Sequence, residues 1–189
     1  PPNLSIAEKR LVLFDCARGL EYLDKFSLIH RDFRGCNMHL IEREGPSSRC
    51  RLKILDLGIM IDAEDESQCG NCNMAVQAFK RRGDTEESRK RYDWLPWEVR
   101  TEGDAPVTNF ALPSFSFDVF SFGVLILHLL IGKRDTRTLL DEVQVGAGVP
   151  DTSHLGVAPE LVNRMLNRDP SRRPTPAEIV RALREAIAP

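Results

Sequence analysis

The sequence predicts an α+β fold, mainly α-helical, with helices around a buried central helix and short β-hairpin strands at a cleft. Three observations predict it. Residues 4–26 place Leu11, Leu13, Phe14, Ala17, Leu20 and Leu23 at the i, i+3, i+4 spacing of an amphipathic helix. Residues 115–131 hold large apolar groups on nearly every side, as in a helix packed all round by others. Met38–Ile41 and Leu52–Leu55 are short apolar runs on either side of the turn-rich Glu44-Gly45-Pro46-Ser47-Ser48.

The elements follow in chain order. The first helix runs directly into Ile29–Asn37, and the hairpin after it presents Asn37 and Asp56 near the same end. From Asp62 to Tyr92 the chain is polar and charged, broken at Gly70 and Gly83, with only Met74, Val76, Ala78 and Phe79 suggesting a helical turn. This stretch is expected to be mobile unless something pins it. After the central helix, Thr136–Val145 suggests a short helix. Pro159–Leu166 and Pro176–Ile187 are clearer ones, the last with Pro at its entry and Glu178 in its first turn.

A chain of 189 residues is one ordinary domain or part of a larger one, long enough to bury roughly 70% of its unfolded surface. With 26 basic and 28 acidic residues, the net charge of -2 gives no electrostatic reason to expect nucleic acid or an anionic membrane as partner. The longest apolar run, Val119–Ile131, is shorter than the ~20 residues that span a bilayer and contains Ser121 and His128. No secretory signal core is visible at the N-terminus, so an intracellular, cytoplasmic location is expected. The 5 cysteines are odd in number and irregularly spaced, which fits reduced thiols. Cys69 and Cys72 have ligand or redox spacing, but no second pair follows at finger spacing, and they read as loop thiols.

Chemistry-bearing side chains concentrate at His30-Arg31-Asp32, Asn37 and Asp56-Leu57-Gly58. Two carboxylates and an amide in this order suit transfer of a γ-phosphoryl group. That reaction needs a carboxylate to orient and deprotonate a hydroxyl, and oxygen ligands to hold Mg²⁺ against phosphates. Ile29-His30-Arg31-Asp32-Phe33-Arg34-Gly35-Cys36-Asn37 resembles the catalytic loop of eukaryotic protein kinases, and Lys53-Ile54-Leu55-Asp56-Leu57-Gly58 resembles their metal-binding strand and turn. Trp94-Leu95-Pro96-Trp97-Glu98 stands where that family ends its activation segment in Ala-Pro-Glu. Asp118-Val119-Phe120-Ser121-Phe122-Gly123 resembles the start of its buried central helix, and Asp169-Pro170-Ser171-Arg172-Arg173-Pro174-Thr175 its late Arg-containing turn.

The resemblance implies that residues 1–189 are the large C-terminal lobe of a kinase domain, with catalytic loop 29–37, activation segment 56–98 and helical subdomain 115–189. It implies transfer of the ATP γ-phosphate to a Ser, Thr or Tyr hydroxyl of a protein substrate, with Mg²⁺ as second cofactor. In family roles Asp32 orients the hydroxyl and accepts its proton, Arg34 steadies the transferring phosphate, and Asn37 and Asp56 ligate the metal. His39 falls where the family places an aliphatic side chain under the adenine, so it either weakens nucleotide binding or stacks on the base. Leu57 replaces the usual Phe and is expected to pack on His30, itself a packed structural imidazole; Trp97 replaces the usual Pro and alters the peptide-docking surface. Asp118 is expected to accept hydrogen bonds from the catalytic-loop backbone, and Glu98 to pair with Arg173.

Thr85, Ser88 and Tyr92 lie among Lys80-Arg81-Arg82 and Arg89-Lys90-Arg91, and Arg31 lies beside the catalytic acid. Phosphorylation of one of the three by an activating kinase would supply a charge to pair with these cations. The plain alternative is a solvated, charged loop. No Gly-rich loop, strand Lys or partner Glu precedes Asp32, so the small N-terminal lobe is absent from this sequence, and the fragment alone is expected to be inactive. Two functions from different classes follow. One is a partial catalytic domain of an active kinase, supported by Asp32, Asn37 and Asp56. The other is a catalytically inactive pseudokinase or scaffold, supported by the missing lobe, His39 and Trp97. A helical adaptor would leave Asp56 without a reason.

Overall fold

The computed structural model describes residues 4–41, 51–65, 91–99, 114–144 and 146–187, with single positions 82, 85 and 87. The helical turn suggested near Met74–Phe79, the turn at 44–48, Cys69, Cys72 and Ser88 lie outside the described residues.

Helix α1 spans Ile6–Lys25 and opens with a reciprocal cap: the Glu8 backbone N–H donates to Ser5 Oγ, and the Ser5 N–H donates to the Glu8 carboxylate at 2.8 Å. Its buried stripe, Val12, Leu13, Cys16, Ala17, Leu20 and Leu23, is the face its spacing predicts. Strand β1, Leu28–Ile29, follows at once. Strands β2, Met38–Ile41, and β3, Arg51–Ile54, pair antiparallel with Met38 opposite Ile54 and His39 opposite Lys53. The second strand starts and ends one residue earlier than its apolar run predicts. Leu55 still donates its N–H to the carbonyl of Asn37, the position opposite it in this register, at 2.7 Å, but Asn37 already belongs to the 35–37 turn and the strand pair ends there. Asp15 Oδ2 on α1 accepts the Leu52 N–H at 3.0 Å, so the hairpin is tied to the helix beneath it. Strand β4, Ile61–Asp62, returns to pair antiparallel with β1.

Helix α2, Ser116–Ile131, is the axis of the core, with every residue from Phe117 to Leu127 buried. It ends at Gly132, whose φ of 83° a side chain rarely tolerates, and the chain restarts directly into α3, Lys133–Gln144. That start precedes the predicted one because Lys133, Arg134 and Asp135 carry no apolar periodicity. The fully buried Thr136 instead ties the turn down through Oγ1 to the Gly132 carbonyl, 2.8 Å away. Helices α4, Pro159–Met165, and α5, Pro176–Ile187, complete the described set. The first packs on α2 and the second on α1. At the α2–α4 contact, a Cβ placed on Gly123 would stand 2.9 Å from Leu166 Cδ2 and 3.2 Å from Met165 Cβ, so the absence of a side chain sets how closely these helices approach. The fold is thus a mainly helical α+β lobe. Among the described residues no helix is long and apolar enough to cross a membrane.

Candidate active site

The site is built on one buried carboxylate of the central helix. Asp118, 3% exposed, accepts the backbone N–H of His30 at 2.6 Å and that of Arg31 at 2.9 Å. Burial dominates its titration and pushes the carboxyl up to about 6, while His30 and Arg31 pull the other way. These two bonds hold Arg31 at φ 64°, a left-handed conformation that costs a non-glycine residue about 1–2 kcal/mol. With the backbone turned there, the buried Arg31 side chain donates from Nε to the Ile59 carbonyl at 2.6 Å.

His30 is fully buried and joins two segments. Its Nδ1 faces the Asp32 N–H at 3.2 Å and its Nε2 faces the Leu55 carbonyl at 3.0 Å, roles that the Nε2–H tautomer fills together. Leu55 is therefore gripped from both sides, through its carbonyl by His30 and through its N–H by Asn37. This places Asp56, the next residue, beside the 29–37 turn. Asp56 is exposed and has φ 61°. The imidazole is structural, as its sequence context predicts. Its ring packs edge-on to Phe33 at 6.0 Å, and Leu57 is 51% exposed. Half of the Leu57 side chain stays exposed, less cover than the expected packing on His30 implies.

Asp32 and Asn37 meet directly. Asn37 Nδ2 donates to the Asp32 carbonyl at 2.9 Å and to its Oδ2 at 2.7 Å, which leaves the amide oxygen for another role; among the described residues the Cys36 thiol approaches it, at 3.5 Å. Arg34 Nε lies 2.8 Å from Asp32 Oδ1 and its Nη2 donates to Oδ2 at 3.1 Å. The carboxylate is thus oriented by an amide and a guanidinium. For Mg²⁺ the donor set fits: the Asn37 amide oxygen and the Asp56 carboxylate are hard oxygen ligands on segments joined at Leu55, and phosphates and water would complete the shell. Among the described residues, no group of three or more His, Cys, Asp or Glu side chains could hold a metal without such help.

The other predicted positions fall further out. His39 is exposed on β2 opposite Lys53, and no bond joins it to the Asp32 set. Thr85 is exposed. Tyr92 is 8% exposed and belongs to the hydrophobic core, which removes it from the accessible phosphorylation candidates.

Past Tyr92 the chain is fastened to α2 at successive residues. Asp93 Oδ2 lies 2.9 Å from His128 Nε2, Ser121 Oγ donates to the Trp94 carbonyl at 2.9 Å, and Trp97 meets Phe120 edge-on at 5.7 Å. Glu98 accepts from both Nη atoms of Arg173 at 2.7 Å, as the kinase resemblance implies. Nothing in the pattern of residues marks Trp94 as a neighbour of the site, yet its indole lies under the Arg34 guanidinium, 5.1 Å from ring centroid to Cζ.

Comparison with known proteins leads to protein kinases. Serine/threonine-protein kinase STY46 of Arabidopsis thaliana is 26% identical over 92% of this chain and 26% of its own length. Serine/threonine-protein kinase ssp1 of Schizosaccharomyces pombe is 30% identical over 94% of this chain and 26% of its own length. Serine/threonine/tyrosine-protein kinase HT1 of Arabidopsis thaliana is 26% identical over 97% of the chain and 41% of its own length. The chain spans well under half the length of each of these relatives. The family model for protein tyrosine and serine/threonine kinases matches residues 1–183, nearly the whole chain, which shows that the chain belongs to the protein kinase family.

Proposed function

We propose that the protein containing this chain transfers the γ-phosphate of ATP to a Ser, Thr or Tyr hydroxyl of a protein substrate, and that residues 29–37, 56–98 and 115–189 act as its catalytic loop, activation segment and helical subdomain. The observation that supports this best is the 2.7 Å bond from Asn37 Nδ2 to Asp32 Oδ2, which orients the carboxylate and turns the amide oxygen outward. A chain that served only as a scaffold would have no use for that arrangement.

In this reading Asp32 holds the attacking hydroxyl and accepts its proton at a carboxylate oxygen. Arg34 sets its charge beside the transferring phosphate. Asn37 and Asp56 ligate Mg²⁺ through oxygen, and the ion, when bound with ATP, neutralises charge building on the phosphates. His39, exposed on the hairpin, is proposed to lie against the adenine. Thr85, exposed in a basic stretch, and Ser88 are the positions we assign to an activating kinase. Dependence on ATP points to an intracellular, cytoplasmic protein.

The test is phosphorylation of casein by the full-length protein and by its Asp32→Asn variant. Loss of the base should lower kcat by about 10²–10⁴-fold. Equal rates in the two proteins would sink the assignment.

A further inference from the structure

We propose that Trp94 is a positioning residue for the Asp32 carboxylate, acting through the Arg34 guanidinium. Resting on the phosphoryl-transfer reading above, this assigns a role to a side chain outside the catalytic loop.

Asp32 is held on two sides. The Asn37 amide grips Oδ2 and the backbone carbonyl, and Arg34 reaches Oδ1 at 2.8 Å and Oδ2 at 3.1 Å. The amide is short, buried and fixed. Arg34 is long and its side chain is 36% exposed, so its pairing with Asp32 alone leaves it several rotamers to lose. Its guanidinium instead lies over the Trp94 ring at 5.1 Å. A planar cation over an aromatic face is attracted by the ring quadrupole and loses freedom to rotate, so the face decides the plane in which the fork meets Asp32.

Trp94 suits that task because it is packed into the core and its backbone is tied to the central helix. It is 2% exposed, its carbonyl accepts Ser121 Oγ from α2, and the preceding Asp93 contacts His128 on the same helix. The central helix that holds the backbone of His30 and Arg31 through Asp118 therefore also fixes, through Trp94, the side chain two residues beyond the candidate base. Any displacement of the 93–98 segment would release Arg34 and with it one of the two grips on Asp32.

The experiment uses the full-length protein with Mg²⁺-ATP and casein, comparing Trp94→Phe, Trp94→Leu, Arg34→Ala, Arg34→Lys and the Trp94→Leu/Arg34→Ala double variant. Trp94→Leu keeps apolar bulk but removes the π-face, and should lower kcat about tenfold with KM for ATP within about twofold of wild type. Trp94→Phe should retain about half the wild-type kcat. In the Arg34→Ala background, Trp94→Leu should add less than about a twofold loss. Equal losses in the Phe and Leu variants, or losses that multiply in the double variant, would overturn the proposal. Should Trp94→Leu fail to fold, Arg34→Lys decides. It keeps the charge without the stacking plane and should fall to about the Arg34→Ala rate, whereas a kcat within about twofold of wild type overturns the clamp. An inactive wild-type protein would count against the phosphoryl-transfer reading instead. The clamp is then read from urea midpoints: less than additive shifts for Trp94→Leu and Arg34→Ala support it, and additive shifts overturn it.

Discussion

Replacing Glu98 with Gln tests how firmly the end of the 91–99 segment is bound to the helical core. The Arg173 side chain is 0% exposed and Glu98 30% exposed, with both Nη atoms at 2.7 Å from the carboxylate. Removing the more exposed partner leaves a guanidinium in the interior without its counter-charge, and breaking a buried pair in this way costs about 3–5 kcal/mol. The lower end applies here. Gln retains one acceptor, water reaches position 98, and Arg173 keeps the Asn167 carbonyl from Nε and the Ser116 carbonyl from Nη1, each at 2.9 Å, and the Phe120 face. For a domain of this size, about 3 kcal/mol corresponds to a fall of roughly 6–12 °C in Tm. Thermal unfolding followed by circular dichroism measures it, and adding Arg173→Met should recover part of the loss by removing the orphaned charge. A fall of under about 2 °C in Glu98→Gln would mean a pair worth no more than an exposed one and would refute the tether.

Two further outcomes follow from burial and packing. Because burial raises the Asp118 carboxyl from its ordinary 3.8 to about 6, the folded protein binds more protons than the unfolded chain between those values. Its contribution to stability therefore falls as pH rises across that window and is level above it. Urea midpoints at pH 4.5, 5.5 and 6.5 should show the wild type losing ground to Asp118→Asn, and the opposite trend would refute the burial argument. Gly123→Ala should destabilise by about 1 kcal/mol, since crowding against Met165 Cβ outweighs the helix-propensity gain, and a stabilised variant in the same titration would refute the close contact.

Much of the fold was legible because single elements meet their partners through periodic apolar faces. The α1 stripe, the all-round apolar α2 and the Pro entry of α5 each follow from local sequence. The Asp118 hydrogen bonds were foreseeable from a carboxylate at the head of an apolar helix, and the Glu98–Arg173 pair from the kinase resemblance. What escaped depends on distant geometry. The Lys133 start of α3 is written in polar residues. The burial of Tyr92 follows from the apolar core to which the chain returns there. Trp94 and Arg34 are far apart in sequence, and no spacing rule brings an aromatic face under a guanidinium.

The Glu98–Arg173 pair also sets an order in time. Its partners are separated by 75 positions, so on a ribosome adding about 5–20 residues per second Glu98 is made roughly 4–15 s before the side chain that will receive it. During that interval the nascent chain already holds Asp32, Asn37 and Asp56, but the ion pair that ties residue 98 to the core cannot yet form. A newly made molecule completes that tie only after Arg173 has been synthesised, which makes the interval a window for a chaperone to hold the unfinished segment.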